Sequence, residues 1–231
     1  TVTLTDYDPL GEEKVVAAAM YASSDLPDNR LQSLAHTMSP DERDAVLSAY
    51  VGERGNRRHK PGRAFERTGY RFDVLCDYGA FRDLQRHRLL TLEWQRLSPE
   101  HGFDTPDVIA DAGMTEEWNR VMEDSAATWA TLSEHAGEDV AQYSVAMAYR
   151  IRFVMQMSAR EAMHLIELRS SPQGHPTYRR VAQQMHDLIE KNAGHRAIAR
   201  TMTYLDTSDV DLERLEAERR AEAKRRAARA G

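Results

Sequence analysis

The chain has 231 residues and a formal net charge of −6. That is length enough for one sizeable core, and the acidic balance argues against a dedicated nucleic-acid binder, which carries a basic excess to displace counterions from phosphates. The single cysteine, Cys76, excludes a disulfide within the chain and fits a reducing cytoplasm; no apolar run approaches the roughly 20 residues that span a bilayer, and no basic-then-apolar leader opens the sequence.

Val2-Thr3-Leu4-Thr5 predicts a short strand from its β-branched residues. Glu12 to Ala22 predicts a helix with Val15, Val16, Ala19 and Met20 on one face. A short helix over Asn29 to Thr37 follows. Ser39 and Pro40 start the next as N-cap and first helical residue. Residues 51 to 63 read as a basic, glycine-containing loop with Arg54, Arg57, Arg58, Lys60 and Arg63. From Tyr70 to Cys76 the apolar period becomes two, which indicates a strand. Gly79-Ala80 then opens a helix running through Arg82, Leu84 and His87. Pro99 and Gly102 mark a loop. Glu116 to His135 predicts a long helix stopped by Gly137, and Tyr149 to Met157 alternates as a further strand. Ser158 N-caps a helix in which Glu161 completes a capping-box pattern; it ends near Ser170-Ser171-Pro172, and Tyr178 to Lys191 predicts another. Residues 1–206 are expected to form the domain. Residues 207–231, with Leu212 and Leu215 as apolar anchors among Glu, Arg, Ala and Lys, are expected to form a charged helical or disordered tail. Strands that feed directly into helices indicate an α+β fold, one sheet covered by helices.

Three cationic groupings could hold an anion. Arg86-His87-Arg88 is the strongest, although successive helical residues point about 100° apart, so the three converge only if the helix frays or ends there. A solvated basic helix end is the plainer reading of composition alone. Arg160 and Arg169 share a helix roughly 180° apart; they would serve different ligand portions or different subunits, unless Glu161 and Glu167 simply neutralise them. His59 to Glu66 sets glycine beside cations that could meet a phosphate, without the order of a P-loop. His164 and His175 show no ligand spacing, so no metal ligands are assigned. No catalytic residue is assigned either, and Cys76 among apolar neighbours reads as a buried inert thiol.

Phe65-Glu66 before a strand, Arg86-His87-Arg88 behind it, Ala159-Arg160 opening a later helix and Leu168-Arg169 closing it form an ordered set. Together they resemble the flavin-dependent thymidylate synthases over about residues 1 to 192. The resemblance implies a central, mostly antiparallel sheet covered by helices. It also implies FAD as cofactor, and NADPH and methylenetetrahydrofolate as co-substrates for reductive methylation of dUMP at C5. It assigns Glu66, Arg86, His87, Arg88, Arg160 and His164 to FAD, and Arg169, Gln95, Arg96 and Ser98 to the nucleotide. The chain departs from the family at the nucleotide side. Arg96 and Ser98 stand where the family has Ser and Arg, Gln142 where it has an Arg, and Ser158 where it has an Asn. Ser cannot supply the fork of donors an Arg offers a phosphate. The combination resembles the C-terminal half of tandem, two-domain members, a reading with which the absence of an initiator Met before Thr1 agrees. It implies a site completed by a second half or by a homo-oligomer. A non-catalytic half and a methyltransferase for another pyrimidine nucleotide are the alternatives.

Overall fold

The computed structural model describes residues 1–208 together with Arg219 and Arg226; the rest of the expected tail lies outside the described residues. Alternation builds the sheet. In β2 (Gly69–Asp77) Tyr70, Phe72, Val74 and Cys76 are buried, and in β4 (Arg150–Ser158) so are Ile151, Phe153, Met155 and Met157. Register sets Tyr70 opposite Met157 and Phe72 opposite Met155, so both apolar rows fall on one face. β1 (Val2–Tyr7) pairs with β2, and β3 (Leu90–Trp94) with the other edge of β4. Among the described residues the order is β1-β2-β4-β3, antiparallel throughout. This is the α+β architecture expected from the sequence. β3 is not among the expected strands; its five residues alternate, but Thr91 is their one β-branched residue and the run follows directly on the cationic Arg86-His87-Arg88.

Helices α4 (Tyr78–Leu84), α8 (Ala159–Arg169) and α9 (Pro176–Asp187) pack on the apolar face. The opposite face carries Arg71, Asp73, Thr91, Glu93, Arg152 and Gln156, none of them buried. A solvated second face is what an antiparallel sheet tolerates. Helices α1 (Gly11–Tyr21), α2 (Asp28–Thr37) and α3 (Pro40–Val51) follow β1, and Ser39 forms a complete capping box with Glu42 ahead of α3. The long α6 (Thr115–Ala136) runs between α5 (Asp107–Asp111) and α7 (Glu138–Ala141), and Gly137 ends it at φ 85°. Only half of the expected box forms before α8. Ser158 accepts from the Glu161 amide, but the Glu161 carboxylate turns away to His87. α9 ends at Asp187, short of the expected Lys191, and passes into a π turn over Leu188–Asn192.

Behind the sheet, α10 (Arg196–Arg200) has its Ala197 and Ile198 amides capped by the buried Glu12 carboxylate at 2.7 and 3.4 Å. Beside it His195 is 2 % exposed, with Nδ1 2.8 Å from the Tyr70 hydroxyl. Burial holds the His195 pKa below its ordinary value of 6.5, so the unfolded chain binds a proton that the folded chain refuses. The stability from burying neutral His195 is complete above the unfolded value and is lost as pH falls below about 6.5 toward the folded one. The thermal midpoint should therefore drop on acidification from pH 7.5 to 5.5. That drop should shrink in His195→Asn, which has a polar side chain but does not titrate. An equal drop in both proteins would refute the assignment.

A cationic cleft at the end of the sheet

Three segments meet at one cleft. The first follows α4, which ends at Leu84 instead of running through His87. It must end there because Leu90, the first residue of β3, pairs with Met157 of β4, and the chain has only a few residues in which to become extended. The irregular backbone resolves the angular problem of three consecutive cationic residues. His87 turns inward and is buried, while Arg86 and Arg88 are exposed on either side of it. The second segment is α8. Glu161, His164, Leu168 and Arg169 stand at i, i+3, i+7 and i+8, which share one helix face. The third is the basic loop, which contributes Lys60. With Leu89 these residues line a cleft of about 190 Å³.

Hydrogen bonds fix the centre. Arg169 Nε donates to His87 Nε2 at 3.1 Å, and its Nη2 donates to the Asp83 carbonyl. A guanidinium only donates, so His87 Nε2 accepts and the ring proton sits on Nδ1. That N–H points to Glu161 Oε1 at 3.0 Å. The His164 ring meets the His87 ring edge-on, with centroids 5.5 Å apart. Burial lowers the His164 pKa; Glu161 opposes this, and Lys60 adds to it.

Donor atoms of His87, Glu161 and His164 lie within 4.8 Å of one another, a set able to hold a metal ion although none was expected. No spacing motif announces it, because His87 comes from a different segment. The surroundings favour an anion instead. Arg169 directs an N–H at the His87 ring, and Lys60, Arg86 and Arg88 ring the opening. Arg86 is paired with Asp83 at 3.2 Å, whereas Lys60 and Arg88 make no ion pair among the described residues.

Other expected residues stand elsewhere. Arg160 donates to the Pro61 carbonyl at 2.9 Å and to Glu66 at 3.1 Å, so Arg160 and Glu66 clasp the basic loop beside the cleft, not within it. The half-turn separation of Arg160 and Arg169 thus holds. Neutralisation by their neighbours does not. Glu161 is taken by His87, and Glu167, fully buried, by Arg54. Gln95, Arg96 and Ser98 lie beyond β3, roughly 20–30 Å along an extended chain from Leu89. Arg96 is held by Glu138 and Asp139 at 2.7 and 3.0 Å, Ser98 accepts from the Glu100 amide, and Gln95 meets His101. Gln142 accepts from the Leu97 amide. None of the four lines the cleft. Cys76 is buried with its thiol pushed up to about 12 by burial, an inert group as expected. Lys60 belongs to the His59 to Glu66 grouping expected to meet a phosphate, whereas Glu161, Leu168 and Leu89 were not among the expected site residues. The helical spacing of Glu161 with His164 and Arg169 was the signal that could have found the first of them.

A family model described as thymidylate synthase complementing protein matches residues 3–193. A UPF0159 protein of Chlamydia pneumoniae is 37% identical over 96% of this chain and 41% of its own length. A UPF0159 protein of Thermoplasma acidophilum is 38% identical over 96% of this chain and 45% of its own. The chain thus spans less than half the length of these curated relatives. In structure it is similar to a UMP/dUMP methylase from Streptomyces cacaoi bound with 5-Br dUMP, at a TM-score of 0.66 and 20% identity, covering 87% of this chain and 94% of that one. Among the described residues no helix is long and apolar enough to cross a membrane.

Proposed function

Because the chain belongs to the thymidylate synthase complementing protein family, we propose that it is, or supplies half of, a flavin-dependent methyltransferase acting on a pyrimidine nucleotide, dUMP in the first place. The observation that carries this reading is the cleft itself: a buried His87 fixed against Arg169, with Lys60 and Arg88 at the opening making no ion pair among the described residues. Those donors suit the phosphate oxygens of FAD, each charge-assisted bond contributing about 1.5–3 kcal/mol where water is excluded. Arg169, which lines the cleft, is assigned to the nucleotide in this reading, and Leu89 and Leu168 offer apolar wall to a planar ring. FAD, reduced by NADPH, would supply the hydride, with methylenetetrahydrofolate as carbon source; the chain supplies orientation and charge.

The cleft, at about 190 Å³, is smaller than the roughly 300–1,000 Å³ that buries a drug-sized ligand. An FAD seated here must rest partly on a second surface, from another copy or a second half, and relatives more than twice as long accommodate such a half. The test is tritium release from C5-tritiated dUMP with FAD, NADPH and methylenetetrahydrofolate, using the chain alone and with a candidate partner half. FAD uptake is read by fluorescence alongside. Release in either arm is the expected result; no FAD uptake and no release in both would refute the proposal. A second reading, a non-catalytic half, is favoured by the engagement of Arg96, Ser98 and Gln142 away from the cleft. Turnover by the chain alone excludes it. Release from another C5-tritiated pyrimidine nucleotide but not from dUMP would reassign the substrate.

A further inference from the structure

We propose that Glu161 is a positioning residue: it selects the Nδ1–H tautomer of His87 and thereby aims Arg169 into the cleft. The inference rests on the reading of the cleft as an anion site. Arg169 can only donate, so the 3.1 Å contact from its Nε requires a lone pair on His87 Nε2. That lone pair exists only while the ring proton is on Nδ1. The group that holds it there is the Glu161 carboxylate, 3.0 Å away and 5 % exposed. Glu161 lies in the first turn of α8, where the helix dipole favours an anion, and Arg169 in the last, where it favours a cation. His87 bridges the two ends of one helix face, and Arg169 reaches back along that face as helical side chains do. Without an acceptor at residue 161 the buried Nδ1–H loses its partner, and only the Arg169 contact at Nε2 is left to favour that tautomer. In the other tautomer Nε2–H would face the Arg169 N–H, donor against donor, and the guanidinium would turn away. A carboxylate is not required for this role, only an acceptor at that point.

The substitutions that separate the roles are Glu161→Gln, which keeps an acceptor oxygen, and Glu161→Leu, which keeps volume without one. The first readout uses no ligand: ¹⁵N shifts of the His87 ring in labelled protein at pH 8. Wild type and Glu161→Gln should show the Nδ1–H tautomer, and Glu161→Leu the Nε2–H tautomer or a mixture. The second readout is the affinity for FAD, with inorganic pyrophosphate as a smaller probe. It should weaken about tenfold in Glu161→Leu, the loss of roughly one charge-assisted hydrogen bond, and stay within about threefold in Glu161→Gln. Thermal midpoints confirm that each variant is folded. An Nδ1–H tautomer retained in folded Glu161→Leu overturns the inference, as does an Nε2–H tautomer in wild type. If Glu161→Leu does not fold, the Glu161→Gln pair of readouts still decides, since loss of the tautomer or of affinity there refutes the acceptor role. Wild type with the expected tautomer but no affinity for either probe sinks the anion reading and leaves the tautomer assignment standing.

Discussion

Arg54→Met should destabilise the protein by about 3–5 kcal/mol, the usual consequence of leaving one partner of a buried ion pair uncompensated. Arg54 and Glu167 meet through two bonds of 2.6 Å, with side chains only 4 % and 0 % exposed. Arg54 also donates to the carbonyls of His59, Arg57 and Thr201, and Glu167 accepts from the Tyr204 amide. One ion pair thus ties the basic loop and residues 201–204 to α8. At about 2–4 °C per kcal/mol for a chain of this size, the midpoint should fall by roughly 10 °C. Arg58→Met, on an exposed position of the same loop, should change stability by no more than about 0.5 kcal/mol. The double variant Arg54→Met/Glu167→Leu should recover much of the loss, because it removes the stranded carboxylate as well as its partner. Thermal melts of the four proteins decide the matter. An Arg54→Met midpoint within 2–3 °C of wild type would show that water reaches Glu167 and that the pair is not buried in solution.

That pair also marks where the sequence stopped being legible. Local periods placed β2, β4, α1 and α8 almost to the residue, because each buries a regular row of apolar side chains, and α6 as closely although Met122 is its one buried residue. The ordered Arg-His-Arg, Ala-Arg and Leu-Arg segments pointed to the family because they lie in fixed order along the chain. What pairs with what was not legible. Glu161 and Glu167 sit within a few residues of Arg160 and Arg169, and proximity in sequence suggested that they neutralise them. In the fold their carboxylates reach His87, 74 residues away, and Arg54, 113 residues away. α8 turns both acids toward the interior while Arg160 faces the loop, and only the packing of three distant segments determines which cation each acid meets. The strand β3 carried the same difficulty in reverse. Its short run is poor in β-branched residues, yet its pairing with β4 ends α4 and sets His87 inward.

Arg169→Lys should cost the cleft about tenfold to a hundredfold in affinity for FAD or pyrophosphate, although the formal charge is unchanged. Arg169 does four things at once: its Nε bonds His87, its Nη2 bonds the Asp83 carbonyl, its Nη1 lies 3.6 Å from the Asp83 carboxylate, and its guanidinium carbon stands over the Tyr178 ring at 5.4 Å. A lysine ammonium is a point charge without the planar fork, so it can replace at most one of these contacts while facing an anion. The loss of one or two charge-assisted bonds at about 1.5–3 kcal/mol each sets the expected range, since 1.4 kcal/mol is tenfold. Arg88→Lys is the informative comparison. Arg88 is exposed at the opening and makes no ion pair among the described residues, so its contribution is charge without fixed geometry. Lysine preserves that charge, and affinity should remain within about threefold. The order Arg169→Lys far below Arg88→Lys is therefore the signature of a site built on orientation around His87. Equal losses in the two variants would mean that the cleft attracts anions by charge alone. In that case the hydrogen-bonded centre of Glu161, His87 and Arg169 would be structural, and a ligand would bind at the opening without reaching it.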